Sequence, residues 1–399
     1  MTKLFCIPLM LCVAVVGCSR VGGGYAVPTG SAGSDSTAEP GAATFKTILA
    51  FDETNGASPQ APLVTIGDEL YGTTWDGGKA GCGIAFALSD GHERIVYTFG
   101  TNGCNPLGLT PAKTAFYGIA YGGGADHDGS VFAIKTTGQL VWSFSFDGSN
   151  GANPEGRMVP FNDHLYGVTS YGGNACGGDG CGTVFSVTTS GKLATLYDFR
   201  GEEHGEYDGT TPAAGMIVVK GTLYGTTSFG GDYDGGTLFS VSTAGKEHVV
   251  YSFGEANTDA IRPESPLIRI GDDFYGTSLY GGKYGDGTVY SVSTGGNATV
   301  LHSFGAGSDG QFPYAGLVDV NGTLYGTTEG GGSSTNCTDG CGTVFALSTS
   351  GSDERLLHSF SGKDGEYPKA GLLYHQGRFY GTTTAGGSNN AGTVFTLTP

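Results

Sequence analysis

Beyond residue 42 the chain alternates short apolar segments with glycine-rich polar segments. Several apolar segments alternate buried-type and polar-type positions, as in GTVFSV at residues 182–187 and GTLFSV at residues 236–241. A period of two is typical of a β-strand that packs one face against a core. Turn-forming Gly, Asn, Asp and Pro separate these segments throughout. The pattern predicts a long series of short β-strands joined by tight turns.

The strands recur as one repeated unit. Successive Tyr-Gly pairs are 46, 49, 58, 51, 50 and 55 residues apart. Each pair is followed by a Gly-Gly doublet, a Gly-x-[VLA]-[FY] segment, an apolar-aromatic segment such as LHSF, and an [Asn/Asp]-[Gly/Ala]-x-x-Pro turn. The seven tyrosines are Tyr71, Tyr117, Tyr166, Tyr224, Tyr275, Tyr325 and Tyr380. The seven turn prolines are Pro59, Pro106, Pro154, Pro212, Pro263, Pro313 and Pro368.

The size and content of the unit predict the fold. Each unit of about 50 residues accommodates four antiparallel strands, A to D, which is the size of one propeller blade. The last unit ends after strand C at GTVFTLTP, whereas TFKTILAF at residues 44–51 resembles a strand D without a preceding unit. We therefore predict an all-β, seven-bladed β-propeller of four-stranded antiparallel blades, closed by an N-terminal strand that completes the last blade. Deletion of residues 43–52 is expected to destabilise the whole ring.

The landmarks LYGTT, GG, GTVF, SF and DGxxP resemble the GloVer tandem-repeat family of exported bacterial proteins, described as choice-of-anchor proteins. The resemblance covers about 355 residues, with the largest departure in the second repeat, where FYGIAYGG replaces LYGTT. It implies an extracytoplasmic propeller with a surface anchor. It implies no catalytic residues.

The N-terminus predicts export. Residues 1–18 carry Lys3 and then an apolar run that is too short to span a bilayer. The end of this segment, Val-Val-Gly-Cys, resembles a bacterial lipobox, which implies a lipid-modified Cys18. Ordinary secretion with an unmodified Cys18 is the alternative. Residues 19–42 have the composition of a flexible tether, and residues 43–399 form the propeller. The expected location is membrane-anchored, periplasmic or on the cell surface, with an outer membrane favoured if one is present.

Composition excludes several classes of protein. The 75 glycines among 399 residues would destabilise helices, and they lack the period of three that collagen requires. The net charge of −18, without a basic patch, argues against nucleic acid as a partner. Solubility of an exported protein explains this charge, and a cation-binding surface is the more specific hypothesis.

Six cysteines remain after the N-terminal segment, and an even number in an exported protein favours disulfides. The two longest loops between the glycine doublet and strand C contain Cys176 with Cys181 and Cys337 with Cys341. Cys82 aligns with the second cysteine of those pairs, and its candidate partner is Cys104. Zinc binding is the alternative, although no histidine has a matching spacing.

The B–C loops and the D-to-A turns of a propeller lie on the same face, where we predict ligand contacts. The candidates are side chains that follow the turn prolines or begin the turns: Gln60, Glu155, Glu264, Tyr314, Lys369, Asp208, Asp259, Asp309 and Asp364. Asp126, Asp128, Asp232 and Asp234 place paired carboxylates in B–C loops and are weak calcium candidates. No other cofactor is expected. No catalytic motif is evident, and the equivalent positions of His302 and His358 indicate a repeat feature.

These observations favour a surface lipoprotein whose propeller is a non-enzymatic binding or display module for polysaccharide or a surface protein. We expect a monomer that contacts the membrane through its lipid anchor. An extracellular polysaccharide-active hydrolase or lyase, with its site at the channel mouth, is the first alternative. A structural envelope protein is the second.

Overall fold

The computed structural model describes residues 43–201 and 207–399. The predicted signal peptide (1–18), Cys18 and the tether (19–42) lie outside the described residues. Every regular element in the described part is a β-strand. No helix in this part is long and apolar enough to cross a membrane.

The strands form seven four-stranded antiparallel sheets, one per blade, and two short two-stranded pairs. In chain order they are β1 (Thr44–Ala50), β2 (Val64–Ile66), β3 (Glu69–Thr73), β4 (Ile84–Ser89), β5 (His92–Thr98), β6 (Cys104–Pro111), β7 (Ala115–Gly122), β8 (Ser130–Lys135), β9 (Leu140–Ser145), β10 (Ala152–Phe161), β11 (His164–Tyr171), β12 (Thr183–Thr188), β13 (Leu193–Asp198), β14 (Ile217–Val219), β15 (Thr222–Thr227), β16 (Thr237–Ser242), β17 (Glu247–Ser252), β18 (Ala260–Ile261), β19 (Ile268–Ile270), β20 (Asp273–Ser278), β21 (Tyr280–Gly281), β22 (Thr288–Ser293), β23 (Ala298–Ser303), β24 (Gly310–Gln311), β25 (Val318–Val320), β26 (Thr323–Thr328), β27 (Gly330–Gly331), β28 (Thr343–Ser348), β29 (Arg355–Ser359), β30 (Leu373–His375), β31 (Arg378–Thr383) and β32 (Thr393–Thr398).

The sheets form a ring, which confirms the seven-bladed propeller. Blades 1, 2, 3 and 4 are β2–β5, β6–β9, β10–β13 and β14–β17. Blade 5 is β19, β20, β22 and β23, and blade 6 is β25, β26, β28 and β29. Blade 7 has the order β1-β32-β31-β30. Its outer strand is therefore the N-terminal strand, in antiparallel register from Thr44 opposite Thr398 to Ala50 opposite Thr393.

The apolar core is divided among seven clusters, one at each interface between neighbouring blades. At every interface a phenylalanine after strand D packs against an aromatic ring on strand C of the next blade, with ring centroids 4.9–5.2 Å apart. All seven phenylalanines are buried: Phe51, Phe99, Phe146, Phe199, Phe253, Phe304 and Phe360. The ring is thus held by the same aromatic contact seven times.

The glycines of the repeat make room for these contacts. A Cβ on Gly118, the glycine of one Tyr-Gly pair, would lie 2.4 Å from the strand C ring of Phe132. A Cβ on Gly392, which precedes strand C of blade 7, would lie 2.7 Å from Cδ of Pro59 in blade 1. Only a residue without a side chain allows such close packing. The glycine of the Tyr-Gly pair therefore has a structural role.

The inner strands meet closely around the channel. A Cβ on Gly156 would lie 2.1 Å from the backbone nitrogen of Gly215 in the next blade, and one on Gly316 would lie 2.8 Å from Pro266. The backbones of neighbouring inner strands therefore approach each other closely at these interfaces. Several larger side chains are found at the mouth of the channel.

Candidate binding site at the channel mouth

Disulfides fix the loops around the channel mouth. The structure pairs Cys82 with Cys104, Cys176 with Cys181, and Cys337 with Cys341, as predicted. The first bridge joins the B–C loop of blade 1 to the turn that opens blade 2. All six cysteines among the described residues are bonded, so none of these six is a thiolate ligand for zinc.

The D-to-A turns and the B–C loops lie on one face, which we call the mouth face. Backbone bridges join the two kinds of segment directly, as between Thr210 and Phe229 and between Glu366 and Ala385. The post-proline residues follow these turns, so they lie near the same face in each blade.

The four candidate aspartates of the turns contribute to the turns themselves. The Asp259 carboxylate accepts a hydrogen bond from the Tyr251 hydroxyl at 2.9 Å, and Asp309 pairs with His302 Nε2 at the same distance. Equivalent contacts join Tyr197 to Asp208 and His358 to Asp364. A Tyr or His side chain of strand D thus contacts each aspartate across the D-to-A turn that follows the strand. These contacts explain the repeated histidines and assign the four carboxylates a structural role.

The residue before each turn proline adopts an unusual backbone conformation. Its φ lies between +53° and +60° in all seven blades, although none of these residues is glycine. The residues are Ser58, Asn105, Asn153, Thr211, Arg262, Phe312 and Tyr367. Each donates its N–H to a carbonyl of the preceding blade at 2.7–3.0 Å. These bonds between blades compensate a conformation that costs about 1–3 kcal/mol per residue.

Charged side chains meet at the mouth beside blades 5 to 7. Arg262 pairs with Glu264 at 2.7 Å, and Lys369 pairs with Glu329 at 3.0 Å. The guanidinium of Arg262 also lies 4.7 Å from the ring centroid of Phe229. Glu264 and Lys369 were predicted at the mouth, whereas the proline pattern did not indicate Arg262 and Glu329.

Two predicted mouth residues, Glu155 and Tyr314, have pKa values that are raised by burial. The pKa of the Glu155 carboxyl is raised to about 8 by burial, partly offset by a hydrogen bond with Ser170 and assisted by the charge of Glu264. Burial also raises the pKa of Tyr314, and Glu155 and Glu264 add to that shift. These side chains of blades 3, 5 and 6 therefore lie close enough to influence one another's titration. Gln60, the remaining candidate, is partly buried in the segment before β2.

An aromatic belt surrounds the mouth with one ring from each blade. Three rings are more than one third exposed: Tyr171 at 39%, Phe229 at 37% and Tyr280 at 39%. Ring centroids of neighbours lie 5.3 Å apart for Trp75 and Tyr121, and 5.8 Å apart for Tyr280 and Phe312. The full belt consists of Trp75, Tyr121, Tyr171, Phe229, Tyr280, Phe312 and Tyr367. The belt was not predicted, although an aromatic residue soon after five of the Tyr-Gly pairs was a visible signal.

The calcium candidates lie in B–C loops on the same face. The Asp128 pKa is raised by burial and by the charges of Asp126 and Asp147. The Asp234 carboxylate accepts a hydrogen bond from the N–H of Gly230 at 3.0 Å, within the loop that also holds Asp232. Across residues 43–201 and 207–399, no three His, Cys, Asp or Glu side chains are grouped so as to hold a metal ion. Calcium binding at these loops stays a prediction.

Comparison with known proteins connects this geometry to a repeat family. The model of the Gloeobacter/Verrucomicrobia repeat matches residues 24–207 and 177–395. Comparison with curated proteins gives no match. Similar solved structures include the computationally designed Ika8 protein, with 12% identity, a TM-score of 0.49, and coverage of 85% of this chain and 96% of that one. A candidate 6-phosphogluconolactonase from Bacteroides uniformis has 15% identity, a TM-score of 0.48, and coverage of 78% and 88%.

Proposed function

The chain belongs to the Gloeobacter/Verrucomicrobia repeat family, and from that premise we propose that it is an exported binding module that recognises polysaccharide on its mouth face. The aromatic belt is the observation that carries the proposal. Aromatic rings offer flat apolar surfaces to the C–H faces of sugars, and nearby polar groups fix orientation. The belt surrounds Glu155, Glu264 and Lys369, which supply such polar groups.

The rigidity of the mouth face favours recognition. The seven pre-proline residues are held by hydrogen bonds between blades, and three disulfides fix loops or turns on this face. Side chains on loops that do not move lose little conformational entropy when a ligand binds. This small entropy loss favours binding of an extended ligand that contacts several blades at once.

The location forms part of the same proposal. Disulfides persist in oxidising compartments outside the cytosol, and a lipid on Cys18 would hold the propeller at a membrane surface. Replacement of Cys18 by alanine is expected to release the protein from the membrane fraction. Retention of the C18A variant in that fraction would contradict lipid anchoring without affecting the proposed ligand.

A glycan array probed with the purified protein, with and without calcium, tests the proposed ligand. We expect W75A and Y171A to weaken capture of the bound glycan about tenfold each, since each removes one stacking surface. Y374A is the matched control, because Tyr374 is 41% exposed but lies on β30, outside the belt. Capture of no glycan, or equal losses in all three variants, would overturn the proposal.

One observation favours a second candidate function, hydrolysis of the polysaccharide at the mouth. Glu155, with its raised pKa, and Glu264, paired with Arg262, are two carboxyl groups in different environments. Such a pair can divide the roles of general acid and base in glycoside cleavage. Release of reducing ends from a bound glycan, lost in E155Q and E264Q, would establish the enzyme. If the glycan is unchanged after long incubation, hydrolysis is refuted and only the binding function remains.

A further inference from the structure

A groove of about 320 Å³ opens on the mouth face between blades 5, 6 and 7. Three rings of the belt line it, those of Tyr280, Phe312 and Tyr367, together with the carboxylates of Glu329 and Asp339. Phe312 and Tyr367 come from the pre-proline position of the repeat, whereas the belt rings of blades 1 to 4, like Tyr280, follow a Tyr-Gly pair. The groove is therefore an asymmetric feature of a symmetric ring.

The aromatic side of the groove is fixed by the backbone. Phe312 and Tyr367 are pre-proline residues with φ of 55° and 57°. Each is hydrogen-bonded through its N–H to the preceding blade. The rings of Tyr280 and Phe312 are nearly perpendicular, at 72°, which leaves the edge of one directed at the face of the other. This side of the groove is thus preformed.

The acidic side is fixed by a disulfide. Asp339 lies between Cys337 and Cys341 and has a φ of 60°, and its carbonyl accepts a hydrogen bond from the N–H of Gly331 at 2.6 Å. Its side chain is exposed, and among the described residues it has no ion pair. Glu329 is paired with Lys369. Asp339 therefore brings an uncompensated negative charge to the groove.

The rings of this face already bind cations of the protein itself. The Arg262 guanidinium lies 4.7 Å from the Phe229 centroid and 5.4 Å from that of Tyr280, and the Lys369 ammonium lies 5.8 Å from that of Tyr314. Aromatic faces beside a carboxylate attract organic cations. The net charge of −18 gives the same preference over the whole molecule.

From the groove, its fixed rings and the free carboxylate of Asp339, we propose that it binds the protonated amino group of an amino sugar. This inference rests on the proposed function and specifies its ligand: a polysaccharide with unacetylated amines. The sugar ring lies against the aromatic side, and the ammonium contacts Asp339. N-acetylation removes the charge, so the groove discriminates between acetylated and free hexosamines.

Calorimetric titration with two oligosaccharides tests this inference. The probes are a β-1,4-linked glucosamine hexamer and the N-acetylglucosamine hexamer, at mildly acidic pH where the free amines are protonated. We expect about tenfold tighter binding of the glucosamine hexamer. D339N should weaken that binding about fivefold and leave the acetylated hexamer unaffected, as expected for loss of one exposed ion pair.

D179N is the matched control, because the chain contains a second disulfide-bonded B–C loop that ends in the same Asp-Gly-Cys-Gly sequence. Asp179 precedes Gly180 and Cys181 as Asp339 precedes Gly340 and Cys341, and its carbonyl accepts the N–H of Gly172 at 2.7 Å. Equal affinity for the two hexamers, or equal weakening by D179N and D339N, would overturn the inference. Binding of only neutral glycans that depends on Trp75 would overturn it while supporting the proposed function. Binding of no glycan at all would overturn both.

Discussion

Phe51 offers a direct test of how the ring closes. This residue follows the N-terminal strand β1, has no exposed surface, and packs in a cluster with Ile84 and Val394, from blades 1 and 7. Its ring centroid lies 5.2 Å from that of Phe86 on strand C of blade 1. Phe51 thus occupies at the closure the position that Phe253 occupies between blades 4 and 5, where the distance to Tyr290 is 4.9 Å.

The F51A variant should lose about 3–5 kcal/mol of stability, the cost of removing a buried phenylalanine and leaving a cavity. For a ring of about 360 residues the unfolding entropy is about 0.75 kcal/mol per kelvin, so the melting midpoint should fall by about 5 °C. Thermal unfolding followed by circular dichroism measures this shift. Deletion of residues 43–52 should cause a larger loss, because it also removes the strand paired with β32.

F253A is the control for this prediction. It removes the equivalent ring from an interface formed within the continuous chain, so both variants should shift the midpoint by similar amounts. If the melting midpoint falls by about 5 °C in F253A but by less than about 1 °C in F51A, closure by the N-terminal strand is refuted. Equal shifts would show that the closing interface has the strength of an internal one.

Two further predictions concern pH and disulfides. Burial raises the folded-state pKa of Glu155 from 4.5 to about 8, so between these values the folded state binds more protons than the unfolded state and stability falls as pH rises. E155Q should remove this fall. In urea unfolding, the stability of E155Q relative to the parent should therefore be about 1–3 kcal/mol greater above pH 8 than below pH 4.5. An unchanged pH dependence in E155Q would contradict the burial of this carboxyl. Replacing Cys82 and Cys104 by serine should lower the free energy of unfolding by about 3 kcal/mol, because this disulfide joins residues 22 positions apart. Replacing Cys176 and Cys181 should lower it by about 2 kcal/mol, because those residues are only 5 positions apart. Equal midpoints for the two double variants in urea would contradict this loop-entropy argument.

The fold could be predicted from the sequence because its contacts recur at fixed positions. The glycine of each Tyr-Gly pair is required by the strand C ring that packs on it, as Gly118 is by Phe132. The orphan segment TFKTILAF was predictable as the closing strand because the last unit lacked a strand D. Repetition of one interface seven times made each requirement visible in the sequence.

The site was only partly predictable, because several residues that contact one another on the mouth face occupy repeat positions that differ between blades. Glu155 and Glu264 follow turn prolines, and their position at the mouth was expected from the pattern. The aspartates of the turns were predicted as ligand contacts, but a Tyr or His of strand D binds them, as Tyr251 binds Asp259 at 2.9 Å. The belt was missed because its rings come from three different positions in the repeat and meet only in the folded ring.

The pre-proline residues explain how a symmetric frame can carry an asymmetric site. Their backbone conformation is the same in every blade, and the N–H of each is bound to a carbonyl of the blade before it. Because those bonds involve only the backbone, the side chain at this position is free to differ between blades. It is small and polar in blades 1 to 4, from Ser58 to Thr211, but it is Arg262, Phe312 and Tyr367 in blades 5 to 7. The large side chains line or adjoin the groove, so selectivity for the amine of the ligand should reside in these three blades, while the other four add aromatic contacts of the belt.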